Sequence, residues 1–145
     1  MNYICGAYTS APSLFLNDKN CERQFYQRLQ KLDQIKGLEI PFWGDGVNKF
    51  GDDFLVSCLN LDWENTLTCV PCSVMAAKQN PKIGLASNDE DARGYSMALH
   101  KKAHETFQKF NEKLGKNVFL AVQFASAPQN CGNLSSKEAF KKSLN

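Results

Sequence analysis

The feature that most constrains this chain is an alternation. Four short apolar, β-prone segments occur along it, each followed by a segment with helical periodicity. Consecutive strands joined by helical crossovers run parallel, and such crossovers are right-handed. The sequence therefore specifies an α/β fold of about four (β/α) units before any single residue suggests a chemistry.

The segments are read as follows. NYICGAY, Asn2 to Tyr8, is apolar enough for a strand covered on both faces. Asp18 suits a helix N-cap, and Cys21, Phe25, Leu29 and Leu32 recur at helical spacing, which predicts the buried face of the first long helix. GLEIPF, Gly37 to Phe42, is a second strand, with Pro41 as its C-terminal limit because proline cannot donate to a ladder. The glycine-rich loop WGDGVNKFGDD leads to a short helix from Asp52 to Leu59. NTLTCV, Asn65 to Val70, is a third strand, ended by Pro71, with a helical piece from Cys72 to Gln79.

Ser87 and Glu90 have the spacing of a capping box for a long helix. That helix carries Leu99, Ala103, Phe107, Phe110 and Leu114 on one face, and Gly115 stands where a C-terminal glycine belongs. NVFLAVQFA, Asn117 to Ala125, is a fourth strand with the near-continuous apolar run of a buried parallel position. Ser135 and Glu138 make a second capping-box pattern, opening a helix with Ala139, Phe140 and Leu144. That helix has run only about two turns at the last residue, so the pattern is expected to continue.

A parallel repeat of this kind either forms an open doubly wound sheet or closes into a barrel. Neither a G-x-G-x-x-G fingerprint nor a P-loop is present, and GDGVNKFG from Gly44 fits neither pattern. An eight-unit (β/α) barrel takes roughly 250 residues. Residues 1–145 are therefore expected to form one unit, a (βα)4 half-barrel resembling the first half of a TIM barrel. The net charge of +2 and the interleaving of Lys with Asp and Glu argue against nucleic acid and anionic membranes as partners. No run approaches the roughly 20 apolar residues of a membrane span. MNYICGAY lacks the positive region of a signal peptide. A cytoplasmic protein with six reduced cysteines is expected.

Several stretches together resemble the DUF4862 family of uncharacterised bacterial proteins, allied to the xylose-isomerase-like TIM barrels. They are YICGAYTSAPS, GLEIPF, IGLASNDEDARGYSMAL, and VQFASAPQN followed by SSKEAFKKSL, in the family's order along nearly the whole chain. IGLAS…DARG…AL is the most specific of them. At strand three the family usually runs into a T-x-I-P turn, where this chain reads TCVPC. The resemblance implies an eight-strand barrel of which this is the N-terminal half and, by analogy, sugar isomerase or epimerase chemistry. It also implies that metal and catalytic ligands come mainly from later strands. On that basis this chain alone has no evident cofactor and no isomerase activity, and a divalent metal belongs to a complete barrel.

In such folds the site lies at the C-terminal ends of the strands. Glu39, a carboxylate in an apolar strand, is the candidate catalytic acid or base, or else a paired structural carboxylate. Trp43 and Asp45 follow strand two and are candidate substrate contacts; a Trp face suits a carbohydrate ring, and a rim-capping Trp is the plain alternative. Gln123 offers hydrogen bonds to a polyol, or is a satisfied core amide. Arg93, near the start of the long helix, offers an anion clamp, or braces its loop. Cys69 and Cys72 form C-x-x-C without the second pair a zinc site needs, so buried thiols are expected, with a redox pair as the alternative. His100 and His104 read HKKAH, lack the general-base Glu of a zinc protease helix, and are expected at the outer surface, far from the strand ends.

Two functions from different classes remain. One is a sugar isomerase or epimerase-like enzyme with a small carbohydrate ligand, completed by a second half-chain. The other is a non-catalytic half-barrel that forms a homodimer, or pairs with another chain, through its exposed strand edges.

Overall fold

A computed structural model describes residues 2–11, 17–115, 117–126, 128 and 132–145. Their order is β1 (Tyr3–Cys5), α1 (Ala7–Ser10), α2 (Lys19–Leu29), β2 (Ile35–Pro41), α3 (Asp52–Val56), β3 (Asn65–Thr68), α4 (Val70–Gln79), α5 (Glu90–Leu114), β4 (Phe119–Gln123) and α6 (Lys137–Leu144). The strands form one parallel sheet in the order β1-β2-β3-β4. A doubly wound sheet reverses its strand order at a switch point. Here spatial order follows chain order throughout, so the unit is singly wound.

Alternation of side chains across the sheet divides its residues. Leu38, Ile40, Phe42, Leu67 and Phe119 are sealed in one apolar cluster with Tyr26 of α2, Leu55 of α3, and Ala103 and Phe110 of α5. The intervening residues of β2 to β4 form two polar rungs: Glu39, Thr66 and Ala121 stand in register, as do Pro41, Thr68 and Gln123. The apolar face therefore supplies the core, and the other presents small and polar side chains. Asn65 is fully buried and ties three strands. Its side-chain oxygen accepts from the Leu38 amide at 3.1 Å, and its nitrogen donates to the carbonyls of Trp63 at 3.3 Å and Val118 at 3.1 Å. Gly37 is required by close packing, because a Cβ there would lie 1.9 Å from the Glu64 carbonyl oxygen.

Several expectations shift by a residue or a face. The first strand is shorter than predicted, because the chain turns into α1 at Ala7. Asp18 caps α2 as expected, accepting from Asn20 and Cys21 at 2.9 Å. The buried positions of α2, however, are Glu22 and Tyr26, with Phe25 and Leu29 only half-buried. The cap of α5 is Asp89, which accepts from the Ala92 amide at 3.1 Å, rather than Ser87. Ser87 instead accepts from the Asp89 amide at 3.2 Å, bracing the cap from behind. In α6 the cap is Ser136, not Ser135. Gly115 ends α5 in the left-handed region at φ 65°, as its position predicts. Among the described residues no helix is long and apolar enough to cross a membrane.

Candidate functional site

β2 and β3 deliver their C-terminal ends to one rim. The Phe42 amide donates to the Thr68 carbonyl at 2.8 Å, and the Cys69 amide to the Gln123 carbonyl at 2.9 Å, so the ends of β2, β3 and β4 are held together. Beyond β2 the chain turns sharply, with the Trp43 amide donating to the Gly46 carbonyl at 2.9 Å. This leaves the indole 39% exposed at the rim.

Glu39 and Trp43 are linked through Tyr8, which the short helix α1 places beside β2. The Tyr8 hydroxyl donates to Glu39 Oε1 at 3.5 Å, and its ring meets Trp43 edge-to-face at 6.3 Å. Partial burial, and then the neighbouring Glu39 charge, raise the Tyr8 pKa above its ordinary value. Tyr8 therefore stays a protonated donor to the carboxylate at neutral pH. On the rung nearest the rim Thr68 Oγ1 donates to Gln123 Oε1 at 2.8 Å, and Gln123 itself is exposed. From strand spacing and rise, Glu39 and Gln123 have Cα atoms roughly 12 Å apart across the polar face.

A cavity of about 940 Å³ opens beside Trp43 and Tyr8 and is also lined by Asp45, Glu22, Tyr26 and Asn48. Glu22 is nearly buried and accepts a short hydrogen bond from the Asn48 side chain. Burial raises its pKa, which Asn48 and Lys49 partly offset. Burial, and then the Glu22 charge, raise that of Tyr26.

The structure thus brings Glu39, Trp43 and Asp45 to one rim, with Gln123 on the same face. Arg93 does not join them. Its Nη1 donates to the Ser87 carbonyl at 3.0 Å and its Nη2 to Glu90 at 3.2 Å, which makes it a brace of the loop before α5. Nothing local in the sequence marks Tyr8, Glu22 or Thr68 as site residues. Tyr8 lies in a stretch that reads as strand, and Glu22 carries no signal of burial until Asn48 folds over it. Among the described residues no three His, Cys, Asp or Glu side chains gather as a metal site would require. Glu39 alone does not make one.

His100 departs from expectation. It is buried rather than at the outer surface, and it lies at a strand end. Its Nε2 accepts from the Ala125 amide, two residues beyond β4, at 3.3 Å. Nδ1 must then carry the proton that it donates to the Ser96 carbonyl at 2.7 Å. Burial lowers its pKa, so the ring is held neutral. His104 is exposed, as expected.

The chain belongs to the family described as Domain of unknown function (DUF4862), which matches residues 4–145. It is 28% identical over 143 residues to an uncharacterized protein of Salmonella typhimurium, an alignment covering 98% of this chain and 46% of that protein. The chain therefore spans about half the length of the curated relative it matches. No solved structure matches it.

Proposed function

We propose that this member of the family forms one wall of a carbohydrate site of the sugar isomerase or epimerase kind. In this reading the unit is the first half of a TIM barrel, completed by further (β/α) units against β1 and β4. The observation that carries the reading is the Tyr8–Glu39–Trp43 cluster at the C-terminal rim of a singly wound parallel sheet, where barrels of this kind place their sites. Glu39 accepts a sugar hydroxyl and serves as the acid or base. Trp43 lies against the apolar face of the ring, and Asp45 and the exposed side chain of Gln123 hold further hydroxyls. A divalent metal, in this reading, belongs to the completed barrel, and no step here runs through it.

A titration of the intact chain with aldo- and keto-pentoses and hexoses tests this, followed by tryptophan fluorescence. Trp63 is buried and Trp43 exposed, so the signal reports on the rim. Saturable quenching that Trp43→Ala abolishes is expected. A flat response across the sugar panel, or quenching that survives Trp43→Ala, would overturn the reading.

A second reading is favoured by one observation. The outer strands expose large apolar side chains, Tyr3 and Ile4 on β1 and Leu120 on β4, with Phe124 just beyond it. Unpaired strand edges of this character invite another chain. A non-catalytic homodimer through these edges predicts a dimer by sedimentation that Leu120→Lys dissociates; a concentration-independent monomer contradicts it.

A further inference from the structure

Two thiols stand outside the sugar-site reading. Cys69 is the N-cap of α4 and Cys72 lies three residues on, with Pro71 in the first turn between them. Both are buried and both are free. The Cys72 thiol donates to the Cys69 carbonyl at 3.0 Å. Positions three apart on a helix have Cα atoms about 5 Å apart, from its rise and radius. That separation is within the span a disulfide bridges. Pro71 fixes its own backbone angle, so closure asks chiefly for rotation of the two side chains.

We propose that Cys69 and Cys72 are a redox-active dithiol that closes to an intrachain disulfide when a peroxide reaches the β3–α4 junction, and reopens with a thiol reductant. The hydrogen bond to Cys72, and then burial, hold Cys69 protonated far above the ordinary thiol range. The thiolate therefore forms at Cys72, in the first turn of α4, where the helix dipole favours negative charge. The Cys72 thiolate attacks one peroxide oxygen; the O–O bond breaks, and the departing hydroxide takes a proton to become water. Cys72 is now a sulfenic acid. Cys69, giving up its proton, attacks the Cys72 sulfur, the S–O bond breaks, and a second water leaves. Two thiols lose two electrons, and one peroxide is reduced to two waters. A small-molecule disulfide would serve as oxidant in the same way, released as two thiols.

The position gives this step a structural consequence. Thr68, next to Cys69, accepts from the Phe42 amide, and Cys69 itself donates to the Gln123 carbonyl. The dithiol therefore sits on the junction that fixes three strand ends.

The test uses the intact folded chain, treated with hydrogen peroxide at neutral pH, then quenched, unfolded, alkylated and mapped by mass spectrometry. The peptide holding Cys69 and Cys72 is expected to lose the mass of two hydrogens and take up no label, while Cys5, Cys21 and Cys58 label fully. Dithiothreitol is expected to restore labelling at both positions, and Cys58→Ser to leave the yield of the bridge unchanged. Full labelling of both thiols after peroxide, overoxidation to sulfinic acid, bridging of either to another cysteine, or loss of the bridge in Cys58→Ser would overturn the proposal.

Discussion

Leu38 and Glu39 are neighbours in β2, yet they face opposite sides of one sheet. Leu38 is sealed in the cluster with Ile40, Leu67, Phe119 and the helices. Glu39 is only half-buried and accepts from the hydroxyl of Tyr8 in α1. The same contrast recurs in β3, between Leu67 and Thr68, and in β4, between Phe119 and Gln123. Parallel sheets are usually covered on both faces. Here one face is built for cohesion, and the other keeps polar groups oriented toward its rim. The difference teaches where to look: substitutions on the first face report on stability, and those on the second report on binding.

The comparison can be broken most forcefully at Phe119, which is fully buried against Phe110. Phe119→Ala is expected to cost about 3–5 kcal/mol of unfolding free energy, read from the urea midpoint. A smaller effect comes from Asn65→Leu, which keeps the volume but leaves the Leu38 amide and two carbonyls without their partner. A loss of about 2–3 kcal/mol is expected, less than for Phe119→Ala. A neutral result would show that the three strands do not depend on that amide.

His100 sharpens the picture at the end of β4. Its folded pKa lies below the ordinary 6.5 because burial disfavours the imidazolium. Its contribution is therefore fully present above pH 6.5 and is lost as pH falls through the lower folded value. The wild-type urea midpoint should fall across that acid window, and the fall should be shallower in His100→Gln.

The mildest change belongs to the polar face. Glu39→Gln is expected to shift stability by no more than about 0.5 kcal/mol. It removes a negative charge that raises the Tyr8 pKa, so Tyr8 should titrate at lower pH in the variant, as followed by tyrosinate absorbance. An unchanged Tyr8 titration would separate the two side chains.

Most of the architecture was legible in the sequence because its signals are local. Pro41 ends β2, Asp18 caps α2, and Gly115 ends α5, each for a reason that acts within a few residues. The errors came where tertiary packing decided. The apolar stripe of α2 predicts one buried face, but Asn48 bonds Glu22 and the main apolar cluster takes in Tyr26, so a neighbouring face is the buried one. Ser87 looked like a cap, but Asp89 sits closer to the first turn and takes the role. The sequence around His100 reads as surface because its partner, the Ala125 amide, lies 25 residues away. At the candidate site Glu39, Trp43 and Asp45 were legible from their place at the end of a strand. Tyr8, which joins Glu39 to Trp43, was not, because NYICGAY reads as one continuous strand and nothing local marks the turn into α1 at Ala7. The C-x-x-C spacing and the burial of both thiols were legible, because small thiols between an apolar strand and the helix after it are a local pattern.

If the two faces of the sheet carry separate duties, substitutions at Leu38 and Glu39, neighbours in β2, have opposite consequences. Urea midpoints and sugar titrations of Leu38→Ala and Glu39→Gln should be measured side by side. Leu38→Ala is expected to lower the midpoint sharply, while Glu39→Gln keeps the wild-type midpoint and loses saturable sugar binding. If Glu39→Gln instead unfolds the protein as Leu38→Ala does, and the folded remainder binds sugar as before, Glu39 is a structural carboxylate and the division of faces is wrong.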